Sequence, residues 1–338
     1  MPVDPTSLER ALATIKKTYG DGSILRGAEK PSCRRIPTGS LGVDYAIGGG
    51  VPLGRWCHWY GGKGSGKTLI SYNTIAQAQA MDISCAYYNI EKQFDPVWAA
   101  RHGVDVDKLV VVDGTIIEQV GAKCETLLGS INLHVIDSVA FAVSMDELET
   151  RSEEWRPGIS ARAWGKVIRR LNERFDDEQN TIILINQLRK TFGGPRAADE
   201  PTGGLALDYI SRLSLLFRKS SWLYYDKNGI LSPDASAGDS LTGDKEPDGL
   251  EFQIRVQKTA GFGRPDRTAR LRIDYATGKT DEMWTLAEAA VHFEIAEKSG
   301  SWYTLGDTRV QGKAGLREVI AGDPKIEKTI RDRLLEAA

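Results

Sequence analysis

Eight consecutive residues in the first quarter of the chain have the types and spacing needed to bind the phosphates of a nucleotide. They are Gly61-Gly62-Lys63-Gly64-Ser65-Gly66-Lys67-Thr68, which fit the pattern Gly-x-x-x-x-Gly-Lys-Ser/Thr. Glycines let successive backbone N–H groups curl around phosphate oxygens, and the start of the following helix adds partial positive charge. Lys67 would neutralise the β- and γ-phosphates, and the Thr68 hydroxyl would ligate Mg²⁺. The alternative is a glycine-rich structural turn.

Three further polar residues end apolar stretches that read as strands. Asp137 ends Leu133–Asp137, where it could complete a magnesium site or merely cap a helix. Glu91 follows the predicted strand Cys85–Ile90 and could polarise an attacking water, or be a solvated charge. Gln187 follows 181–186 and could contact a γ-phosphate, or form a structural hydrogen bond.

Short apolar runs alternate with helical patterns and must position these residues. The predicted strands are Trp56–Tyr60, Cys85–Ile90, Leu109–Val112, Leu133–Ile136, Thr181–Ile185 and Ser211–Phe217, with helices at Thr68–Met81 and Ala161–Phe175. Alternating strands and helices predict an α/β fold with a mostly parallel sheet, which binds ligands beyond the carboxyl ends of its strands. His134, inside a strand, is expected to be a hydrogen-bonded core residue.

Three segments lie outside this pattern. An amphipathic helix ends near Gly20 and packs either on its own core or on a neighbouring subunit. Residues 226–249 are predicted to form a mobile acidic loop. A small lobe is expected after residue 279.

Composition narrows the possible classes of protein. The chain has 338 residues and a formal charge of −2. This excludes a uniformly basic surface for binding nucleic acid, but it does not exclude a local basic groove. The four cysteines share no metal-ligand spacing, which favours reduced thiols in the cytoplasm. No apolar run approaches the roughly 18 residues of a membrane span, and the N-terminus has no apolar targeting core.

In order and spacing, these motifs resemble the bacterial RecA recombinases and their phage-encoded relatives. The matching segments are 11–24, 36–41, 53–55, the phosphate loop, 95–98, 137–140, 184–189, 202–204 and 298–303. The resemblance implies a RecA-type P-loop ATPase core with a mostly parallel central sheet, an N-terminal oligomerisation helix and a small C-terminal α/β lobe. The corresponding domains are 1–32, 33–278 and 279–338.

The resemblance also assigns roles to individual residues. ATP and Mg²⁺ are the implied cofactors, with Glu91, Lys67 and Gln187 as catalytic residues. Asp95 and Trp98 fall where the family contacts adenine, and tryptophan replaces the usual tyrosine. The further nucleotide-binding position is Lys258, which in the family reaches the ATP of a neighbouring subunit.

Two DNA-binding loops are implied, near 151–160 and 187–204. Their candidate residues are Arg151, Arg156, Arg162, Arg189, Lys190, Arg196, Gly203 and Gly204. Cations with interleaved aromatic residues suit single-stranded DNA, although solvated loops would look similar. In the C-terminal lobe, the candidates for duplex contacts are Lys298, Arg309 and Lys313.

The expected function is therefore an ATP-dependent recombinase. It would form a helical filament on single-stranded DNA, pair it with a homologous duplex and hydrolyse ATP when stimulated by DNA, in DNA repair and the SOS response. Alternatives are a ring helicase or motor of the same fold, or a nucleotide-switched DNA scaffold without efficient exchange.

Departures from the family pattern qualify this expectation. Ala260 replaces a second interface lysine, and Asp208 replaces another lysine beyond the second DNA loop. The acidic segment 226–249 is expected to project away from the filament axis. No acidic tail follows the lobe, from which we expect weaker autoinhibition.

Overall fold

The computed structural model describes residues 5–20, 24, 33–149, 158–175, 179–190, 199–226, 230–233, 246–259 and 265–337. The chain divides into two compact units, Met1–Arg34 and Arg35–Ala338. The first contains helix α1 (Pro5–Tyr19). This helix ends as expected before Gly20, whose φ of 96° is left-handed and therefore suits glycine.

A large, mostly parallel sheet forms the centre of the second unit. Its strands are β3 (Trp56–Gly61), β4 (Cys85–Asn89), β5 (Val110–Asp113), β6 (Leu133–Asp137), β7 (Thr181–Lys190), β8 (Asp199–Pro201), β9 (Leu213–Tyr225), β10 (Leu231–Ser232), β11 (Gly249–Thr259) and β12 (Thr268–Asp274); β1 (Arg35–Ile36) and β2 (Val51–Pro52) pair separately. The order β12-β11-β9-β3-β7-β6-β4-β5 is parallel from β9 to β5 and antiparallel from β9 to β12. The parallel part places the carboxyl ends of β3, β4, β6 and β7 on one edge.

Helices cover both faces of this sheet. They are α2 (Leu41–Ile47), α3 (Lys67–Ala80), α4 (Pro96–Arg101), α5 (Ile117–Leu127), α6 (Met145–Glu149), α7 (Ile159–Arg174) and α8 (Leu205–Ile210). One apolar core includes Trp59 and Ile70 of α3, and the other includes Trp164 of α7. Full burial of each large apolar side chain contributes about 1.5–3 kcal/mol, so the two cores hold the strand ends in fixed positions.

The C-terminal lobe combines helices with a three-stranded antiparallel sheet. Its elements are α9 (Glu282–His292), β13 (Glu297–Ser299), β14 (Trp302–Leu305), β15 (Thr308–Gln311), α10 (Gly312–Gly322) and α11 (Pro324–Glu336). Leu286, Leu316 and Ile330 are fully buried in its core. The lobe thus has an apolar centre of its own.

Two of the departures from the sequence-based elements concern strand length and the predicted acidic loop. Strands β7 and β9 run further than predicted, so Gln187 lies inside β7 and does not follow it. Within the predicted acidic loop, Leu231–Ser232 pairs with β9 and Gly249 begins β11. The prediction of one continuous loop over 226–249 was therefore wrong for these residues, because Leu231 is 95% buried against the sheet; 227–229 and 234–245 lie outside the described residues.

Candidate nucleotide and DNA site

The glycine-rich segment forms the turn between β3 and α3. Gly64 and Gly66 adopt φ values of 67° and 87°, which only glycine adopts readily. A Cβ atom on Gly61 would lie 2.2 Å from the Phe217 carbonyl oxygen, so β3 and β9 approach too closely for a side chain. The loop opens on the 14-residue helix α3, whose first N–H groups and dipole favour an anion.

Lys67 is buried inside this loop and organises it. Its ammonium group donates hydrogen bonds to the carbonyl oxygens of Gly61 (3.1 Å) and Gly62 (2.8 Å) and to Ser65 Oγ (3.3 Å). Burial lowers the pKa of Lys67, while the carboxylates of Asp137 and Glu91 act in the opposite direction. The positive charge is therefore held at the centre of the cradle, and Lys63 of the same loop is exposed.

Asp137, at the end of β6, is 95% buried and accepts two hydrogen bonds at the same oxygen. Thr68 Oγ1 donates to Asp137 Oδ2 over 2.7 Å, and the Tyr87 hydroxyl donates to it over 2.8 Å. Burial raises the pKa of Asp137 to about 6, whereas these two donors act to lower it. A hydroxyl and a carboxylate side by side are suitable Mg²⁺ ligands, so these residues fit the predicted metal.

Tyr87 was not identified from the sequence. Burial and the neighbouring Asp137 charge raise its pKa, so its hydroxyl stays protonated and acts as a donor. Only the register of β4 beside β6, which pairs Tyr87 with Val135, brings the phenol within reach of the carboxylate. No local sequence signal would have shown this contact.

Glu91 and Gln187 come from different strands and meet in the fold. Gln187 Nε2 donates to Glu91 Oε1 over 3.0 Å, and Ser138 Oγ donates to the same oxygen. The backbone N–H groups of Ile90 and Glu91 donate to the Asp137 carbonyl, which joins the ends of β4 and β6. A carboxylate able to accept a proton thus lies beside an amide, at the edge where the phosphate loop begins.

Asp95 immediately precedes α4, and Trp98 lies in its first turn. Asp95 Oδ1 accepts hydrogen bonds from the backbone N–H groups of Val97 (2.8 Å) and Trp98 (3.1 Å), so this carboxylate caps the helix. The Trp98 ring packs edge-on against His102 at 4.8 Å and is partly exposed. The capping role was not anticipated, although an aspartate immediately before a proline is a local signal for it.

Lys258, in β11, donates to the backbone carbonyl of Asp208 over 2.6 Å. The structure therefore places this lysine beside α8, the helix that contains Asp208. Ala260 lies outside the described residues.

The described part of the candidate DNA surface surrounds a cleft of about 310 Å³. Arg189, Phe141, Trp164 and Gly203 are among its lining residues, and Arg162 is exposed on α7. Arg189 donates to the Ala140 carbonyl over 3.4 Å.

Arg151, Arg156 and Arg196 lie outside the described residues, as does the side chain of Lys190.

Packing also explains the two glycines that end this surface. A Cβ atom on Gly203 would lie 2.4 Å from Leu207 Cδ1, and one on Gly204 would lie 3.1 Å from Ala161 Cβ. Both residues have positive φ values. Close packing against α7 and α8 is thus a second reason for glycine here, besides the predicted role in DNA binding.

Cations of the C-terminal lobe lie over aromatic rings. Arg309 lies 4.9 Å from the Trp302 ring and Lys298 lies 5.8 Å from Tyr303, while Lys313 forms an ion pair with Glu288. Lys313 is thus partly neutralised within the lobe.

The phosphate loop on a mostly parallel sheet, with a Thr–Asp pair and a glutamate at the same edge, defines a P-loop ATPase. The RecA N-terminal domain model matches residues 6–232, and the RecA C-terminal domain model matches residues 285–338. The chain therefore belongs to the RecA family.

Similar proteins cover nearly the whole chain. The protein named RecA from Thermus aquaticus is 34% identical over 98% of this chain and 94% of its own length. The RecA of Roseiflexus sp. strain RS-1 is 33% identical over 99% and 92%, and that of Clavibacter michiganensis is 35% identical over 97% and 87%. These matches confirm the predicted fold class and the prediction of a recombinase with DNA-dependent ATPase activity. Within the described residues, none of the helices has the length and apolar character needed to cross a membrane.

Proposed function

We propose that the chain binds ATP and Mg²⁺ at the edge formed by β3, β4, β6 and β7. The bound nucleotide then drives assembly of a helical filament on single-stranded DNA, which pairs with a homologous duplex. The observation that carries this proposal is the convergence of Lys67, the Thr68–Asp137 pair and the Glu91–Gln187 pair. These residues come from the start of α3, the ends of β4 and β6, and the interior of β7.

The nucleotide is held by charge and by backbone donors. The loop amides and the α3 N-terminus bind the phosphates, and Lys67 neutralises the charge that develops on the β- and γ-phosphates. Thr68 and Asp137 hold the metal ion. When bound, Mg²⁺ supplies further neutralisation of phosphate charge.

Glu91 is the group that activates water. Its carboxylate lies between Ser138 and Gln187, which fix its orientation, and it takes the proton from water as the γ-phosphoryl group is attacked. Gln187 belongs to β7, whose chain leads directly into residues 191–198 of the predicted DNA loop. Contact between Gln187 and Glu91 therefore links hydrolysis to the DNA-binding segment.

The adenine base of the nucleotide is proposed to bind beside α4. Trp98 offers a partly exposed ring for stacking on adenine, and Asp95 holds the turn on which that ring stands. Lys258 is proposed to reach the nucleotide of a neighbouring copy.

The surface that binds single-stranded DNA includes Arg162, Arg189 and the glycines at 203–204. The C-terminal lobe, residues 279–338, is proposed to bind the duplex. Helix α1, within segment 1–32, is proposed to join neighbouring copies, and 33–278 forms the ATPase core. A cytoplasmic location is proposed because none of the four cysteines, all of which lie in the described residues, forms a disulfide.

The ATPase part of the proposal is tested with Lys67→Ala. The expected result is loss of DNA-stimulated ATP hydrolysis, because the buried charge at the centre of the cradle is removed. Lys108→Ala is the matched control, since this exposed lysine forms a surface ion pair with Asp105 (3.1 Å), and its loss should leave turnover unchanged. Persistent turnover in Lys67→Ala would place the site elsewhere.

The assembly part is tested by negative-stain microscopy with ATP and single-stranded DNA. Helical filaments are expected, whereas closed rings would indicate a ring motor. Three-strand exchange with and without ATP then separates a recombinase from a DNA scaffold that hydrolyses ATP without exchanging strands.

A further inference from the structure

A buried polar network lies behind the Glu91–Gln187 pair and centres on Asn186. Asn186 Oδ1 accepts hydrogen bonds from the Gln187 backbone N–H (2.8 Å) and from Thr202 Oγ1 (2.7 Å). Its amide nitrogen donates to the Thr202 carbonyl oxygen (2.7 Å) and lies 3.1 Å from His58 Nε2. Asn186 is completely buried and His58 is 99% buried, so these bonds are shielded from water.

These contacts settle which hydrogen-bonding role His58 plays. The Thr202 carbonyl oxygen can only accept, and the Gln187 N–H can only donate, so the orientation of the Asn186 amide is determined. The group facing His58 is consequently the NH₂ of Asn186, and Nε2 must accept its hydrogen bond. The imidazole then carries its proton on Nδ1, a buried atom without a hydrogen-bond partner among the described residues.

The surroundings of His58 keep the ring in this neutral form. Burial, together with the positive charge of Lys258, lowers the pKa of His58 to about 4. The Tyr60 ring lies 4.8 Å away on the same face of β3. A neutral acceptor is thus maintained at physiological pH, while an imidazolium would direct a donor at the Asn186 amide.

The network spans both ends of the segment that the proposed function assigns to DNA. Gln187 precedes residues 188–201 and Thr202 follows them, and the Thr202 N–H also donates to the Gln187 carbonyl oxygen over 3.3 Å. On the other side, His58 belongs to β3, the strand that continues directly into the phosphate loop. The Asn186 side chain therefore connects β3, the strand before the phosphate loop, to Gln187 and Thr202, which flank the DNA segment and form its base.

We propose that His58 is a positioning residue, whose Nε2 holds Asn186 and thereby fixes both Gln187 and the base of the DNA segment relative to the phosphate loop. This inference rests on the proposed function, because it assigns the transmission of DNA binding to ATP hydrolysis to these contacts. His58 is 99% buried, so its role in this proposal is to position Asn186 and not to contact nucleotide or DNA directly. Its loss should thus affect the DNA-stimulated rate and leave the affinity for ATP unchanged.

The test compares two replacements of His58. Glutamine places Oε1 the same number of bonds from the backbone as histidine Nε2, so His58→Gln retains the acceptor. His58→Leu introduces an apolar side chain and removes the acceptor. We expect the DNA-stimulated kcat of His58→Leu to fall about tenfold, the equivalent of one hydrogen bond, with KM for ATP unchanged; His58→Gln should retain the wild-type rate.

A second measurement in the free protein does not depend on ATPase activity. Backbone hydrogen exchange at Gln187 and Thr202 should accelerate in His58→Leu and stay at the wild-type rate in His58→Gln. The control His134→Leu removes another buried histidine of the same sheet, which bonds to Tyr88 and the Ile131 carbonyl, and should leave exchange at both positions unchanged. If His58→Leu does not fold, His58→Asn, whose amide is one bond shorter, takes its place.

The ATPase rates and the exchange rates together distinguish failure of the positioning role from failure of the proposed function. Wild-type exchange rates and wild-type DNA stimulation in a folded His58→Leu protein would overturn the positioning role. Accelerated exchange together with a reduced DNA-stimulated rate in His58→Gln would also overturn it. If wild-type protein shows no DNA-stimulated hydrolysis, the proposed function fails, while the exchange rates still decide whether His58 holds the base of the segment.

Discussion

The Tyr87 hydroxyl is expected to set the concentration of Mg²⁺ that the enzyme requires. It donates to Asp137 Oδ2 over 2.8 Å, beside the Thr68 hydroxyl at 2.7 Å. Tyr87→Phe removes one of two donors to a carboxylate that is 5% exposed and whose pKa is already raised by burial to about 6. The change keeps the ring and its packing, so the hydroxyl alone is tested.

The size of the effect follows from the cost of leaving a buried carboxylate with one donor. A hydrogen bond to a charged group contributes about 1.5–3 kcal/mol, which corresponds to about 10- to 100-fold in an equilibrium constant. Removing a hydrogen-bond partner of a metal ligand has effects of similar size on metal affinity. The Mg²⁺ concentration giving half-maximal ATP hydrolysis should therefore rise about 10- to 100-fold, with near-wild-type turnover recovered at saturating metal.

Tyr88→Phe is the matched control. Tyr88 is the next residue of β4 and is also buried, but its hydroxyl contacts His134 Nδ1 over 2.9 Å on the opposite face. It should lose stability without a change in the Mg²⁺ requirement. Urea unfolding measured alongside the Mg²⁺ titrations separates the two effects; equal Mg²⁺ requirements in Tyr87→Phe and wild-type protein would refute the reasoning.

Three further predictions concern stability. Gly61→Ala should lower the free energy of unfolding by about 1–3 kcal/mol in urea titrations, because its Cβ would lie 2.2 Å from the Phe217 backbone oxygen, whereas Gly62→Ala meets no atom within 4 Å and should cost less. Asp95→Ala should cost about 1 kcal/mol through loss of the α4 cap, and Asp95→Ser should restore most of it; equal losses would argue against capping. Burial lowers the pKa of His134 to about 4, so on acidification the unfolded chain binds this proton before the folded chain does, and the free energy of unfolding falls as the pH drops from about 6.5 towards 4. The stability advantage of wild type over His134→Gln should therefore shrink by roughly 2 kcal/mol between pH 7.5 and 5. A constant difference between the two proteins would contradict this.

The phosphate loop could be predicted from the sequence because its physics is local. Glycine spacing, the preceding strand and the following helix all lie within residues 55–81, and no distant contact is needed to recognise them. The same holds for the ends of the parallel strands, where apolar runs stop at Asp137 and near Glu91. His134 likewise behaves as expected, as a hydrogen-bonded core residue.

The antiparallel part of the sheet was not predicted. Strand β11 pairs on one side with β12 and on the other with β9, which ends more than 20 residues earlier in the chain. Glu251 in β11 is buried and forms an ion pair with Arg272 of β12 (2.9 Å). An acidic residue inside a strand reads from the sequence as exposed, because its partner is supplied by another strand. The same dependence on pairing explains why β7 continues through Gln187, since residues 188–190 pair with β8.

The sequence by itself determined the chemistry that the chain carries: the phosphate cradle, the candidate carboxylates and the alternating pattern that builds a parallel sheet. Only the tertiary structure decided which groups meet. Tyr87 on Asp137, Gln187 on Glu91 and His58 on Asn186 each join residues about 50 to 128 positions apart. Strand order and register bring them within hydrogen-bonding distance, and both arise from packing the whole sheet between its helices, which no local stretch of sequence specifies.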